Sequence, residues 1–128
     1  MRVVFDTNIF ISALTFPGGR ADAAVMRIIN GDDTLVISRE IIDEVLTVLA
    51  RKFSKDAEAL SRVAVNLAGL GELVHPTERL KVLEDEADNR ILECAAAGNA
   101  VLIVTGDKAM LMLKKYRNIK IIPLSEFL

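Results

Sequence analysis

Met1-Arg2-Val3-Val4-Phe5-Asp6-Thr7-Asn8 sets a short apolar run directly against a carboxylate, a hydroxyl and an amide. Residues 3–5 are β-branched or aromatic and apolar on both faces, the pattern of a central strand covered on each side by helices. Asp6 then falls just past the strand's carboxyl end, the edge of an open parallel sheet at which ligands bind. A later stretch repeats the arrangement. Ala100-Val101-Leu102-Ile103-Val104 reads as the most apolar strand of the chain, and it runs through Thr105-Gly106 into Asp107.

Working outward, strands are expected at 34–37, 72–75 and 119–122, and helices at 21–29, 39–53, 54–70, about 86–97 and 108–113, with a short helix or turn at 9–14. Strands alternating with helices predict an α/β fold, with a parallel sheet whose carboxyl ends share one edge. Ser38 is placed as the N-cap of the helix that follows it, and Ser54 as the N-cap of the next. Ile41, Ile42, Val45, Leu46 and Leu49 form an i, i+3, i+4 stripe. Asp43 and Glu44 flank that stripe at similar angular distances, so periodicity does not choose between them. Asp85 suits an N-cap. Asp88 lies three and four residues before Ile91 and Leu92 and so shares their face, in the first turn where the helix dipole favours an anion. Asp32 and Asp33 read as turn chemistry after Asn30-Gly31. His75, the only histidine, precedes Pro76 with no triad partner in sight, and Cys94 reads as a small packing residue.

At 128 residues with 52% hydrophobic content, the chain is expected to form one domain over residues 1–128. That length lets roughly two-thirds of the unfolded surface be buried without disulfide staples. One cysteine excludes an internal disulfide and fits a reducing compartment, so a cytoplasmic location is expected. No signal pattern and no apolar run of spanning length is present, so no membrane association is expected. A net charge of −2 argues against a passive nucleic-acid binder, which is usually basic. The basic residues fall in small clusters, Arg51-Lys52, Lys55 and Lys114-Lys115-Arg117, that read as solvated faces.

Four carboxylates are thereby expected at one sheet edge: Asp6, Glu44 (or Asp43), Asp88 and Asp107. Two bare carboxylates about 5 Å apart repel by about 3 kcal/mol at an effective dielectric of ~20. Four together require protonation or a cation. A set of oxygen donors without paired His or Cys favours Mg²⁺ or Mn²⁺ over Zn²⁺, and such ions serve phosphodiester hydrolysis.

With these blocks on the page, the chain resembles the PIN-domain nucleases, and among them the single-domain, VapC-like toxin components of prokaryotic toxin–antitoxin pairs. The matching blocks are Val3-Val4-Phe5-Asp6-Thr7-Asn8, Ser38 with Glu44-Val45, Asp88-Asn89-Arg90-Ile91-Leu92-Glu93, and Ile103-Val104-Thr105-Gly106-Asp107. Asp-Thr-Asn alone is a weak signal; four blocks in order at these spacings are a strong one. The resemblance implies a three-layer α/β/α fold with a parallel sheet of about five strands, and Mg²⁺- or Mn²⁺-dependent cleavage of RNA. It implies Asp6, Glu44, Asp88 and Asp107 as catalytic metal ligands, choosing Glu44 because the family's acid precedes an apolar helix residue. It further implies Asn8, Ser38 and Thr105 as outer groups orienting carboxylates or water, Lys108 as a phosphate contact, an antitoxin protein as partner, and a homodimer.

Two other readings compete. A catalytically silent module with the same fold could bind RNA or protein, although the acid set is complete. A phosphoacceptor receiver domain also gathers Asp residues at a sheet edge. It needs an acidic pair after its first strand and a Lys after its last, where this chain has Thr7-Asn8 and Pro123-Leu124.

Overall fold

The computed structural model describes residues 1–128. Arg2–Phe5 forms β1, and Thr7–Thr15 and Arg20–Ile29 form α1 and α2. Thr34–Ser38 is β2, Arg39–Phe53 is α3, Ala57–Leu70 is α4 and Glu72–Val74 is β3. Glu86–Ala97 is α5, Leu102–Val104 is β4 and Lys108–Leu113 is α6. Lys115–Tyr116 is β5, Ile119–Ile122 is β6, and Leu124–Phe127 makes a short α7.

The sheet order is β3-β2-β1-β4-β6-β5. Its first five strands pair in parallel, with Val3 opposite Leu35 on one side and Leu102 on the other. The parallel sheet expected from the sequence is therefore present, extended by one short antiparallel edge strand, β5. Strand order reverses at β1, which lies between β2 and β4; a receiver domain instead places its third strand beside its first. Here β3 is out at the edge, so the receiver reading fails on topology. Asp6 and Asp107 follow the two strands that flank the reversal, where open α/β sheets bind ligands.

The core is a continuous cluster around the sheet: Val3, Val4 and Phe5 of β1, Leu35, Val36 and Ile37 of β2, Ile103 and Val104 of β4, and Ile41, Ile91, Leu92 and Met110 from the helices, each at most 2% exposed. The end of α5 approaches β2 so closely that a Cβ at Gly98 would lie 2.1 Å from Val36 Cγ1. Only glycine allows that contact, which sets the depth of α5 on the sheet.

Several local expectations change. Ser54 does not cap α4: it takes φ 50° and ends α3, and the carboxylate of Asp56 accepts from Ala59 N at 2.8 Å instead. A carboxylate at that position also complements the helix dipole. The tail after Pro123 is helical and puts Phe127 edge-on against Phe5 at 5.6 Å between ring centroids.

Asp33 is no ordinary turn residue. It is buried, and its carboxylate accepts from the Met1 amino group at 3.2 Å and from Arg27 Nε at 2.8 Å, tying the end of α2 to the start of β1. Burial alone would raise its pKa, but the Arg27 guanidinium and the amino terminus together hold it below the usual carboxylate range. A depressed folded pKa contributes stability above the unfolded value, lost as pH falls through the folded one. Asp33→Asn should therefore cost about 1–2 kcal/mol at pH 7, read from urea midpoints, and the difference should shrink as pH falls below the usual carboxylate range.

Candidate metal centre

Asp6 sits between the end of β1 and the start of α1, fixed by its own N–H, which donates to Val104 O at 2.9 Å. Its Oδ2 accepts from the Thr105 hydroxyl at 2.6 Å. That hydroxyl oxygen in turn accepts from Asp107 N at 3.0 Å. One chain of hydrogen bonds thus runs from the Asp107 amide through Thr105 to Asp6 and crosses the point where strand order reverses. Thr105 is fully buried, so its hydroxyl has no water to turn to. Asp107 also caps α6, its Oδ1 accepting from Met110 N at 3.1 Å.

Glu44 lies on α3 and reaches the same place, whereas Asp43 points outward at 63% side-chain exposure, 3.9 Å from Arg39 Nε. Of the two acids that periodicity left open, Glu44 is the one that lines the cavity. Asp88 comes from the first turn of α5 and is 5% exposed.

These side chains line one small cavity of about 100 Å³. Its wall carries five carboxylates, Asp6, Glu44, Asp85, Asp88 and Asp107, with Asn8 and the Thr7 segment between them and Val48 and Ala87 as apolar walls. No Lys or Arg lines it. Asp85 is the acid not expected there. Its N-cap role is present, Oδ1 accepting from Ala87 N at 2.9 Å, but it also faces the cavity. Three residues from Asp88 along a helix start, it had a signal in its spacing that the simpler capping role obscured.

The electrostatics follow from the crowding. Burial pushes the Asp88 carboxyl up to about 7, with the charges of Asp107, Asp85 and Asp6 adding to it. Asp88 Oδ2 is buried and has no hydrogen-bond partner. Burial also raises the Asp6 carboxyl; the Thr105 hydroxyl bond opposes this and the nearby Asp107 charge adds to it. An orphaned carboxylate oxygen, a ring of acids without a cation and an all-oxygen donor set fit a hard divalent ion. In this conformation no three of the acids form a ready ligand set.

The remaining expected residues separate. Asn8 is exposed and lines the cavity. Ser38 does not reach it: fully buried, it caps α3 by accepting from Ile41 N at 3.3 Å. Lys108 is exposed beside Asp107 and outside the lining. Cys94 is buried, with its thiol pushed up to about 12 by desolvation, which suits packing and not chemistry.

A network that the sequence did not reveal stands behind the cavity. Asn89, fully buried, accepts from Val82 N and Leu83 N at 3.0 and 2.8 Å and donates to Leu83 O at 2.8 Å. Glu93, also buried, accepts from Leu80 N at 2.7 Å and from Arg90 Nη2 at 2.8 Å. Together they strap residues 80–83 to α5 and fix the approach to Asp85. No helix is long and apolar enough to cross a membrane.

Comparison with known proteins agrees with this fold. The uncharacterized protein MJ1680 of Methanocaldococcus jannaschii is 29% identical over 118 residues, covering 89% of this chain and 76% of its own length. Among solved structures, VapBC2 from Rickettsia felis, bound to a DNA fragment from their promoter, matches with TM-score 0.65 at 18% identity over 96% of this chain and 98% of that one. VapBC-1 from nontypeable Haemophilus influenzae matches with TM-score 0.67 at 16% identity over 98% of this chain and 99% of that one. FitAcB from Neisseria gonorrhoeae matches with TM-score 0.57 at 16% identity, over 96% and 98%. At these identities the structures speak for the fold. The PIN domain family model matches residues 2–109, a span that takes in all five acids of the cavity, and the chain belongs to the PIN-domain family.

Proposed function

We propose that the chain is an Mg²⁺- or Mn²⁺-dependent endoribonuclease and the toxin-like member of a toxin–antitoxin pair. The observation that carries this reading is the cavity at the strand-order reversal, walled by acids without a counter-charge and holding an unpartnered buried carboxylate oxygen at Asp88. Asp6, Glu44, Asp88 and Asp107 hold the ion, which when bound activates water and steadies the leaving oxygen of a phosphodiester. Thr105 fixes the rotamer of Asp6, Asn8 offers an amide at the cavity mouth, and Lys108, exposed next to Asp107, contacts a phosphate. Support for RNA as substrate comes from the family resemblance of the four sequence blocks.

A protein partner is supported by exposed apolar surface away from the acids. A groove of about 310 Å³ between α1, α3 and α4 is lined by Leu14, Leu49, Phe53 and Val63, with Phe53 at 43% and Leu14 at 49% exposure. We assign this partner as the antitoxin and the free protein as a homodimer in the cytoplasm, the latter checked by light scattering.

The test is cleavage of a mixed single-stranded RNA panel with Mn²⁺ and with EDTA, by wild type, Glu44→Gln and Asp43→Asn. Cutting is expected to stop in EDTA and to fall at least tenfold in Glu44→Gln, while Asp43→Asn stays within about twofold. No cutting by folded, Mn²⁺-loaded protein would favour the catalytically silent binding module.

A further inference from the structure

We propose that Asp85 is a fifth carboxylate of this centre, placed with Asp88 to hold a divalent cation. The inference rests on the metal-centre reading above and extends it to a residue whose capping role hides it. Asp85 faces the same cavity as Asp88. Its Oδ1 is engaged with Ala87 N at 2.9 Å, which leaves the second carboxylate oxygen free for a ligand.

The two acids are held in fixed relation. The Asp85 carbonyl accepts from Asp88 N at 3.1 Å and from Asn89 N at 3.3 Å. On the other side, the strap of residues 80–83 is pinned to α5 through Asn89 and Glu93, ending two residues before Asp85.

Independent of Asp85 itself, Asp88 Oδ2 is buried within this wall with no hydrogen-bond partner, in a residue 5% exposed. A cation shared with Asp85 supplies the missing partner. It also offsets the charge at a wall that carries five acids and no basic side chain.

Capping and ligation can be separated by substitution. Asn and Ser cap helices as well as Asp does, so Asp85→Asn and Asp85→Ser keep the acceptor for Ala87 N and lose the charge. Glu84→Gln removes the same charge one residue earlier, at an exposed position outside the cavity lining. Mn²⁺ binding to metal-free protein is measured by calorimetry and by the electron paramagnetic resonance signal of free Mn²⁺. Both Asp85 variants should bind Mn²⁺ at least tenfold more weakly than wild type, with metal-free melting temperatures no lower than wild type. Glu84→Gln should stay within twofold. Asp85 variants that bind as Glu84→Gln does overturn the inference and leave the nuclease reading standing. Wild-type protein that takes up no Mn²⁺ overturns both.

Discussion

Asp6→Asn should fold as the wild type does and lose metal-dependent RNA cleavage by more than about a hundredfold. The loss should exceed the ~10–100-fold typical of removing a partner one layer out from a metal, because the proposed function makes Asp6 a direct ligand. The reason lies in the hydrogen-bond chain behind it. Thr105 is fully buried; its hydroxyl donates to Asp6 Oδ2 at 2.6 Å and its oxygen accepts from Asp107 N at 3.0 Å. An asparagine that keeps the bond donated by Thr105 turns its carbonyl oxygen to that hydroxyl, which leaves its NH₂ facing the cavity. A donor with positive partial charge then stands where an anionic ligand is needed. Stability should change by no more than about 1–2 kcal/mol, because the weaker bond to Thr105 is offset by relief of a buried charge that sits above its usual pKa. The checks are cleavage rate at saturating Mn²⁺ and a urea melt in EDTA. A variant that cuts at wild-type rate would remove Asp6 from the site.

Much of this constellation was legible in the sequence, and the physical reason is periodicity. Strands β1 and β4 are short apolar runs that end in a polar residue, so Asp6 and Asp107 could be placed at the sheet edge from order alone. Asp88 could be placed because i, i+3, i+4 spacing ties it to Ile91 and Leu92 on α5. Glu44 could not be separated from Asp43, since one step around a helix decides it and the flanking stripe is symmetric. The family resemblance favoured Glu44, and in the structure Glu44 lines the cavity while Asp43 is 63% exposed.

What stayed hidden depends on distant pairs or on side chains that bond to irregular backbone. Asp33 meets the Met1 amino group 32 residues away, and no local pattern records that. Asn89 and Glu93 bond to the main chain of a loop without regular structure. β5 was missed because its turn carries no Asn-Gly or Asp-Gly signal. Arg117 itself adopts φ 55°, with its guanidinium clamped by both oxygens of Glu78 at 2.9 and 2.8 Å. Asp85 was seen but given one role, since capping already explained it.

Asp88 carries the second large effect, on stability and its pH dependence. In the folded, metal-free protein its carboxyl is raised to about 7, by burial first and then by the charges of Asp107, Asp85 and Asp6. A raised folded pKa means that the fold prefers the protonated acid. Stability from this group is then full below the unfolded value near 4 and is lost as pH rises through about 7. The rise from near 4 to about 7 sets a ceiling of about 4 kcal/mol; solvent at the cavity mouth screens part of it, leaving about 2 kcal/mol. Asp88→Asn puts a neutral amide in the orphaned position and escapes the loss. In EDTA at pH 8 it should melt about 5–10 °C above wild type, while at pH 4, where wild-type Asp88 is protonated, the two should nearly coincide. Mn²⁺ should raise the wild-type melting temperature at pH 8 and leave the variant almost unmoved. Asp33 acts with opposite sign but below pH 4, outside this window, and Asp6 adds to the wild-type decline in the same direction. If the variant melted at or below wild type at pH 8 in EDTA, packing and not charge would govern the site, and the case for a cation there would lose its electrostatic basis.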